Sequence, residues 1–324
     1  MSGEVGQQGI SHMISPSSWN RFETCPRMYW LSRQKLPRKA GMAASIGTAV
    51  HASVEDLLQH DYTHIGNSQD DWLPQEGERL LRIRWEEEKA VFFATPRRPQ
   101  WKEEKWKEAL NHQRGAIRLL LDHVGISGLN HTKITGALWR RIQSLAIAVE
   151  GELKTNDGKL MGRLDLLMAD VDANGRMVGW LVADLKTGRA PKDQLKLEVN
   201  RQLRLYRDIL RSNNPDGPPI RTEGWYTADS SKWLASGDDV LADAYAAWEA
   251  TTPGKVPLEP IIGDQSCGGF CDWKAWCPHW WQWRFDNNTL HKDDFSDAVI
   301  LLHNYDSSSG SAVNCVSRET VPVT

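Results

Sequence analysis

Two glycine-containing turns in one short stretch constrain the fold of this 324-residue chain more than any other feature. They are Asn156-Asp157-Gly158 and Asp172-Ala173-Asn174-Gly175, and such sequences are typical of tight β-hairpins. Segments rich in residues that favour β-strands flank both turns. We therefore predict a three-stranded antiparallel meander with strands Leu145–Lys154, Lys159–Ala169 and Met177–Lys186.

The turns also predict which residues face each other across the strands. If Asn174-Gly175 is a two-residue loop, Ala173 faces Arg176 and paired residue numbers sum to 349. If Asp157-Gly158 is a two-residue loop, paired numbers sum to 315. These registers place Asp165 opposite both Glu150 and Asp184. Lys186, two residues after Asp184, lies on the same face.

A row of three facing carboxylates destabilises a sheet unless a cation lies among them. A hard divalent cation with oxygen ligands fits best, with Mg²⁺ first and Mn²⁺ as an alternative. A metal held by carboxylates beside a lysine suits phosphodiester hydrolysis, because both stabilise the charge that develops on the phosphate. The alternative is that one or two of these acids simply face solvent, or that a longer turn shifts the register.

Helical segments precede and follow the meander. Ser15 and Pro16 predict the start of a helix that runs through Tyr29 and Trp30. Apolar spacing predicts a second helix from about 43 to 59, on which His51 and Glu55 share one face, and two or three surface helices between 72 and 141. After the meander we expect a helix over about 193–211, a strand over 223–228 and a helix over 239–250.

Bulk composition excludes several classes of protein. A net charge of −3 argues against a uniformly basic nucleic-acid coat, so any DNA contact must be local. A basic stretch that is equally compatible with a solvated helix face contains Arg21, Arg27, Arg33, Lys35, Arg38 and Lys39. No apolar run is long enough for a membrane helix, and the first residues do not resemble a secretory signal, so we expect a cytoplasmic protein without a membrane partner.

Four short motifs, in order along the chain, resemble those of the RecB-like branch of the PD-(D/E)xK nucleases. They are Gly47-Thr48-Ala49-Val50-His51, Gly162-Arg163-Leu164-Asp165, Ala183-Asp184-Leu185-Lys186-Thr187-Gly188 and Gln202-Leu203-Arg204-Leu205-Tyr206. The resemblance implies that His51, Asp165 and Asp184 bind the metal together with the backbone carbonyl of Leu185. The predicted register, and not the resemblance, adds Glu150 as a candidate acid. It also implies that Lys186 is the catalytic lysine, and that Gln202 and Tyr206 contact DNA or brace the site.

Cys25, Cys267, Cys271 and Cys277 resemble the one N-terminal and three C-terminal cysteines that hold a [4Fe–4S] cluster in iron–sulfur nucleases of this branch. These nucleases include the CRISPR-adaptation nuclease and the AddB nuclease domain. The spacing here is C-x3-C-x5-C, whereas two residues are expected between the first two cysteines of the C-terminal group. Zinc is the alternative metal, since four thiolates also suit it and His279 could replace one of them. Cys315 lies in the tail and is not expected to be a ligand.

The expected fold is α/β of the α+β type: a restriction-endonuclease-like core with a central mixed sheet flanked by helices. The expected segments are a disordered start (1–14), helices with the first cysteine and His51 (15–59), a helical insertion (60–143), the nuclease core (144–252), a cysteine segment (253–290) and a partly disordered tail (291–324).

The leading functional hypothesis is a metal-dependent exonuclease that acts on single-stranded or frayed DNA ends in repair or recombination, because cluster-bearing members of the branch commonly do so. The alternatives are a CRISPR-adaptation nuclease and a non-catalytic DNA-binding subunit of a helicase–nuclease complex. The intact Asp165, Asp184 and Lys186 argue against the last of these. No P-loop sequence occurs, so a helicase or CRISPR-adaptation partner would be a separate chain.

Overall fold

The structure is a computed structural model that describes residues 12–66, 71–126, 133–172, 174–253, 258–267, 271–289, 300–306 and 311–317. The chain divides into two compact units, one of residues 1–20 and 39–253 and the other of residues 21–38 and 254–324. The helices are α1 (Pro16–Thr24), α2 (Pro26–Ser32), α3 (Met42–Gln59), α4 (Trp72–Ala94), α5 (Trp106–His123), α6 (Gly136–Leu145), α7 (Leu197–Asn213), α8 (Leu241–Ala250), α9 (Asp264–Cys267) and α10 (Pro278–Asp286). The strands are β1 (Ala146–Lys154), β2 (Met161–Val171), β3 (Met177–Lys186), β4 (Ile220–Tyr226), β5 (Ser231–Leu234), β6 (Ile300–Asp306) and β7 (Ser311–Ser317).

A five-stranded mixed sheet in the order β1-β2-β3-β4-β5 forms the centre of the first unit. The strands β1, β2 and β3 form the antiparallel meander that the turns predict. The strand β4 then pairs parallel to β3, because α7 carries the chain back across the sheet between them. The predicted central mixed sheet with flanking helices is therefore confirmed.

The predicted registers are confirmed, although both turns are longer than the two-residue loops from which they were derived. Pairs such as Gly151↔Leu164 and Leu166↔Ala183 keep the sums of 315 and 349. At the second turn the backbone of Asp172 bonds to that of Arg176, which alone would give a sum of 348, and an irregularity next to Asp170 restores 349. Ala173, whose pairing the prediction used, lies outside the described residues.

The helices α3, α4, α5 and α6 pack with the sheet around one hydrophobic core. Trp139 of α6, Leu120 of α5 and Leu57 of α3 are fully buried with Leu181 and Trp225 of the sheet. The segment between 72 and 141 was expected to form surface helices, but each of its helices buries an apolar face in this core. The helical insertion is thus structurally part of the first unit.

One predicted feature near the start of the chain differs from the structure. The first helix is interrupted at Cys25 and restarts at Pro26, because proline has no amide hydrogen to continue the helical hydrogen bonds. Within the predicted tail, β6 and β7 form an antiparallel pair, and the other residues of the tail lie outside the described residues. Residues 1–11, most of the predicted disordered start, lie outside the described residues, while Ile14 bridges to Leu160.

Candidate active site

The strands β2 and β3 bring Asp165 and Asp184 together at one end of the sheet. The last registered pair is Leu166↔Ala183, and the same alignment continues to Asp165 opposite Asp184. The backbone amide of Leu185 donates to Asp165 Oδ2 at 2.7 Å, which fixes the first carboxylate against β3. Asp184 is only 2% exposed. Two carboxylates thus face each other in a largely buried setting.

The third carboxylate of the predicted row also lies in the site. Glu150 follows Val149, which pairs with Leu166, and precedes Gly151, which pairs with Leu164, so its register position faces Asp165. Glu150 has φ 52°, a left-handed backbone conformation that costs a non-glycine residue free energy and often occurs at functional sites. Burial and then the charge of Asp165 raise the pKa of Glu150 to about 6.

The helix α3 supplies the histidine that the sequence motif predicted. His51 Nδ1 lies 3.5 Å from Asp165 Oδ1. Burial alone would lower the pKa of His51, but Asp165, with smaller contributions from Asp184 and Glu150, outweighs burial and raises it. Among the described residues, one group of three side chains that could bind a metal ion has all its ligand atoms within 4.8 Å of one another. The group consists of His51, Glu150 and Asp165.

Asp184 does not belong to this group of three, and two other side chains of the site contact it. Lys186 Nζ forms an ion pair with Asp184 Oδ2, and Gln202 Nε2 donates to Asp184 Oδ1 at 2.8 Å. Asp184 Oδ2 is buried, and the Lys186 ammonium compensates its charge directly. Burial raises the pKa of Asp184, and Asp165 adds to this effect, whereas Lys186 opposes it.

Gln202 and Tyr206 of α7 brace the lysine and the second carboxylate. Gln202 Oε1 accepts from Lys186 Nζ at 3.2 Å, and Gln202 Nε2 also donates to the Tyr206 hydroxyl at 2.9 Å. Burial lowers the pKa of Lys186, but Asp184 and Asp165 outweigh burial and raise it, so the lysine carries its charge in this site. The predicted side chains of α7 therefore contact the site directly.

Close packing explains why two of the motifs contain glycine. A Cβ at Gly162 would lie 2.3 Å from Tyr206 Cε1, so a larger residue would displace the ring that holds Gln202. A Cβ at Gly47 would lie 3.3 Å from Thr187 Oγ1, which belongs to the lysine motif and directly follows Lys186. The four sequence motifs thus contact one another in pairs.

One residue of the site was missed by sequence reasoning. Arg163 Nε lies 2.6 Å from Glu150 Oε2, and this ion pair partly offsets the rise in the pKa of the glutamate. The predicted registers carried a signal for it, since Arg163 pairs with Glu152 and is therefore two residues along from the partner of Glu150. The arginine is mostly exposed, so the pair is open to solvent on one side.

The cysteines are assembled separately in the second unit. Cys25, Cys267, Cys271 and Cys277 are free thiols, are all buried and line one cavity together with Arg27 and Lys274. Cys315, which was not expected to belong to this group, has a side chain outside the described residues.

The chain matches a protein-family model. Residues 13–278 match the model of the PD-(D/E)XK nuclease superfamily, and this span covers the helices of the site, the five-stranded sheet and the four buried cysteines. No curated protein gives a significant match. The described helices include none that is both long and apolar enough to cross a membrane.

Proposed function

Because the chain belongs to the PD-(D/E)XK nuclease superfamily, we propose that it is a metal-dependent deoxyribonuclease that degrades single-stranded or frayed DNA ends in repair or recombination. Members of this superfamily are nucleases that use divalent metals. One observation carries the proposal: Asp165 and Asp184 face each other across neighbouring strands, with Lys186 in ion-pair contact with Asp184.

The donor set fits a hard divalent cation. His51, Glu150 and Asp165 present ligand atoms within 4.8 Å of one another, and the buried carboxylate of Asp184 lies opposite Asp165. Buried carboxylates that face each other repel unless a cation compensates their charge. We assign His51, Asp165 and Asp184 as the metal ligands with the Leu185 backbone carbonyl, and Glu150 as an additional acid. A metal there would polarise the scissile phosphate and make bound water more acidic.

The other side chains of the site have distinct roles in the proposed hydrolysis. A water oxygen forms a bond to phosphorus while one phosphorus–oxygen bond of the DNA backbone breaks. Lys186, charged and held by Asp184 and Gln202, stabilises negative charge that develops on the phosphate oxygens. Gln202 and Tyr206 hydrogen-bond to each other and to the site, which favours bracing over DNA contact as their role.

We assign the four buried cysteines to a [4Fe–4S] cluster. Burial raises the pKa of Cys271 to about 12, so its thiolate needs a bound metal. Arg27 Nε is buried, has no hydrogen-bond partner among the described residues and lines the same cavity, where it suits an anionic cluster. Zinc is the alternative, since four thiolates also suit it.

The repair role and the preference for single-stranded ends rest on the resemblance to the cluster-bearing branch. A CRISPR-adaptation nuclease would use the same site, and gene neighbourhood separates the two. The contact between Asp184 and Lys186 within a buried site favours an enzyme over a non-catalytic DNA-binding subunit.

The test is digestion of end-labelled DNA by the purified full chain with Mg²⁺, with Mn²⁺ and with a chelator. Linear single strands, linear duplexes, linear strands with blocked ends and circular single strands are compared. We expect metal-dependent digestion of linear single strands and survival of circular ones. Rapid cleavage of circles would replace the exonuclease proposal by an endonuclease, and no metal-dependent cleavage of any substrate would contradict the nuclease.

A further inference from the structure

The helix α5, which no sequence motif marks, contacts the candidate active site through two adjacent buried side chains. His112 is 6% exposed and Gln113 is 1% exposed. Each begins a chain of two hydrogen bonds that ends on a backbone carbonyl in or next to the site. The first chain ends at Lys186 and the second at Val50, which precedes His51.

The first chain runs from His112 through Thr227 to Lys186. His112 Nδ1 lies 2.8 Å from Thr227 Oγ1, and Thr227 Oγ1 donates to the Lys186 carbonyl at 3.2 Å. The Thr227 amide donates to the same carbonyl at 3.0 Å. A hydroxyl has one proton, so when Thr227 gives it to Lys186, His112 must donate from Nδ1. Hydrogen bonds in such a chain strengthen one another in a buried setting.

The backbone of α5 also lies directly against Thr227. A Cβ at Gly115 would lie 1.8 Å from the Thr227 carbonyl oxygen, so only glycine allows this approach. His112 and Gly115 are three residues apart and therefore lie on the same face of α5. The helix thus contacts Thr227 through both a side chain and its own main chain.

The second chain holds α5 against the other half of the site. Gln113 Nε2 donates to Ser53 Oγ at 3.0 Å, and Ser53 Oγ donates to the Val50 carbonyl at 2.8 Å. Gln113 Nε2 also donates to the Gly77 carbonyl of α4 at 2.7 Å. These bonds fix α5 relative to α3, so His112 approaches Thr227 from a fixed position.

The contacts at Lys186 restrain a short piece of backbone from both ends. Leu185 N donates to Asp165 at 2.7 Å, while the Lys186 carbonyl accepts from Thr227. Between these two anchors lies the segment that carries the lysine side chain. Rotation of either anchored peptide would move Lys186 Nζ relative to Asp184, and displacements of about 1 Å in a catalytic group reduce rates strongly.

We infer that His112 and Thr227 are positioning residues that hold Lys186 in its catalytic geometry through the backbone carbonyl of Lys186. This inference rests on the proposed nuclease function of the same site. It assigns a role to the helical segment that no motif covers, because α5 supplies both the side chain and the close backbone contact.

The activity test compares Thr227→Val, which removes the hydroxyl at nearly constant shape, with Thr227→Ser, which keeps it. Thr222→Val makes the same chemical change at an equally buried threonine of β4 and serves as the matched control. We expect Thr227→Val to lower kcat about 10-fold with little change in KM or DNA affinity, since only transition-state stabilisation is lost. Thr227→Ser and Thr222→Val should retain wild-type kcat.

A second variant protects the test against misfolding of Thr227→Val. His112→Phe keeps an aromatic ring but removes both ring nitrogens, so it breaks the chain at its other end and should lower kcat in the same way. If Thr227→Val and Thr222→Val lose activity equally, or if both Thr227 variants keep wild-type kcat, the positioning role is overturned.

A measurement without catalysis separates this inference from the nuclease proposal. Lysines are reductively methylated with a ¹³C label, and the resonance of Lys186 is assigned by its loss in Lys186→Ala. We expect this resonance to shift in Thr227→Val and His112→Phe but to stay in place in Thr227→Ser and Thr222→Val. An unchanged resonance in Thr227→Val contradicts the inference. If the shifts occur and wild-type protein cleaves no DNA, the positioning contact stands and the nuclease proposal fails.

Discussion

Replacement of Gly162 by alanine tests whether the packing of two motifs maintains the site. The added Cβ would lie 2.3 Å from Tyr206 Cε1 and 2.9 Å from Cδ1. The ring is almost fully buried and accepts a hydrogen bond from Gln202. It must therefore move about 1 Å to reach ordinary contact distance, and this move would stretch a 2.9 Å hydrogen bond beyond its normal range.

The expected cost follows from these contacts. Overpacking of a buried site costs roughly 1–3 kcal/mol, and loss of the hydrogen bond adds about 1 kcal/mol. Alanine loses less conformational entropy than glycine when the strand forms, which stabilises the variant by about 0.5–1 kcal/mol. We expect the free energy of unfolding to fall by about 2 kcal/mol, which corresponds to a fall in Tm of roughly 4–8 °C for a unit of this size.

The assay is thermal unfolding, followed by circular dichroism, of wild-type protein and four variants: Gly162→Ala, Tyr206→Leu, the double variant of these two and Gly66→Ala. Gly66→Ala is the control, because a Cβ there meets nothing within 4 Å. In the double variant Gly162→Ala with Tyr206→Leu, the smaller side chain relieves the overlap, so the double change should cost about 1–2 kcal/mol less than the sum of the single changes. Wild-type Tm in Gly162→Ala, or strict additivity in the double variant, would refute the packing explanation.

Three further predictions concern the metal ligand, the cysteines and a buried carboxylate. His51→Ala should weaken Mn²⁺ binding measured by calorimetry and lower activity, with partial rescue at high Mn²⁺; wild-type behaviour at all metal concentrations would contradict the assignment. Protein purified without oxygen should be brown, with absorbance near ~400 nm. Cys25→Ala should remove the colour and Cys315→Ala should not, and a purified protein that contains one zinc and no iron would contradict the cluster. Asp208 is fully buried, pairs with two arginines and accepts from a backbone amide, so Asp208→Ala should lower the free energy of unfolding by about 3–5 kcal/mol. Asp239 forms a half-exposed ion pair, so Asp239→Ala should lower the free energy of unfolding by less than about 1 kcal/mol. Equal losses for Asp208→Ala and Asp239→Ala, measured by chemical denaturation, would contradict this.

The sequence predicted the carboxylate row because side chains on a strand alternate with a period of two. The strand registers proved correct although both loops were longer than assumed. The first loop is longer by one residue on each side, which leaves the sum unchanged, and at the second turn an irregularity next to Asp170 compensates. Burial of the apolar face also holds residues such as Leu166 and Ala183 in phase. The contact of Gln202 with Asp184 was also accessible, since helical spacing and the motif both pointed to that side chain.

Other parts of the structure had no local signal. Neither His112 nor Thr227 belongs to a recognisable pattern, and they meet only because the chain brings α5 beside the end of β4. The segment between 72 and 141 looked like surface helices because its charged faces dominate its composition, although its apolar faces complete the core. The break at Cys25 was predictable from Pro26 but was outweighed by the helical spacing of the aromatic residues around it.

The central claim is that Asp165, Asp184 and Lys186 form one hydrolytic site. Its most direct test is single-turnover DNA cleavage, in which wild-type protein is compared with Asp165→Ala, Asp184→Ala and the double variant. Residues that act as a unit are not additive, so each single change should abolish Mg²⁺-dependent cleavage and the double change should be no worse. DNA binding, measured by fluorescence anisotropy, should persist in all of them. Asp193→Ala, in the exposed loop after β3, should cleave like wild type. Metal-dependent cleavage that persists in Asp184→Ala would contradict the claim.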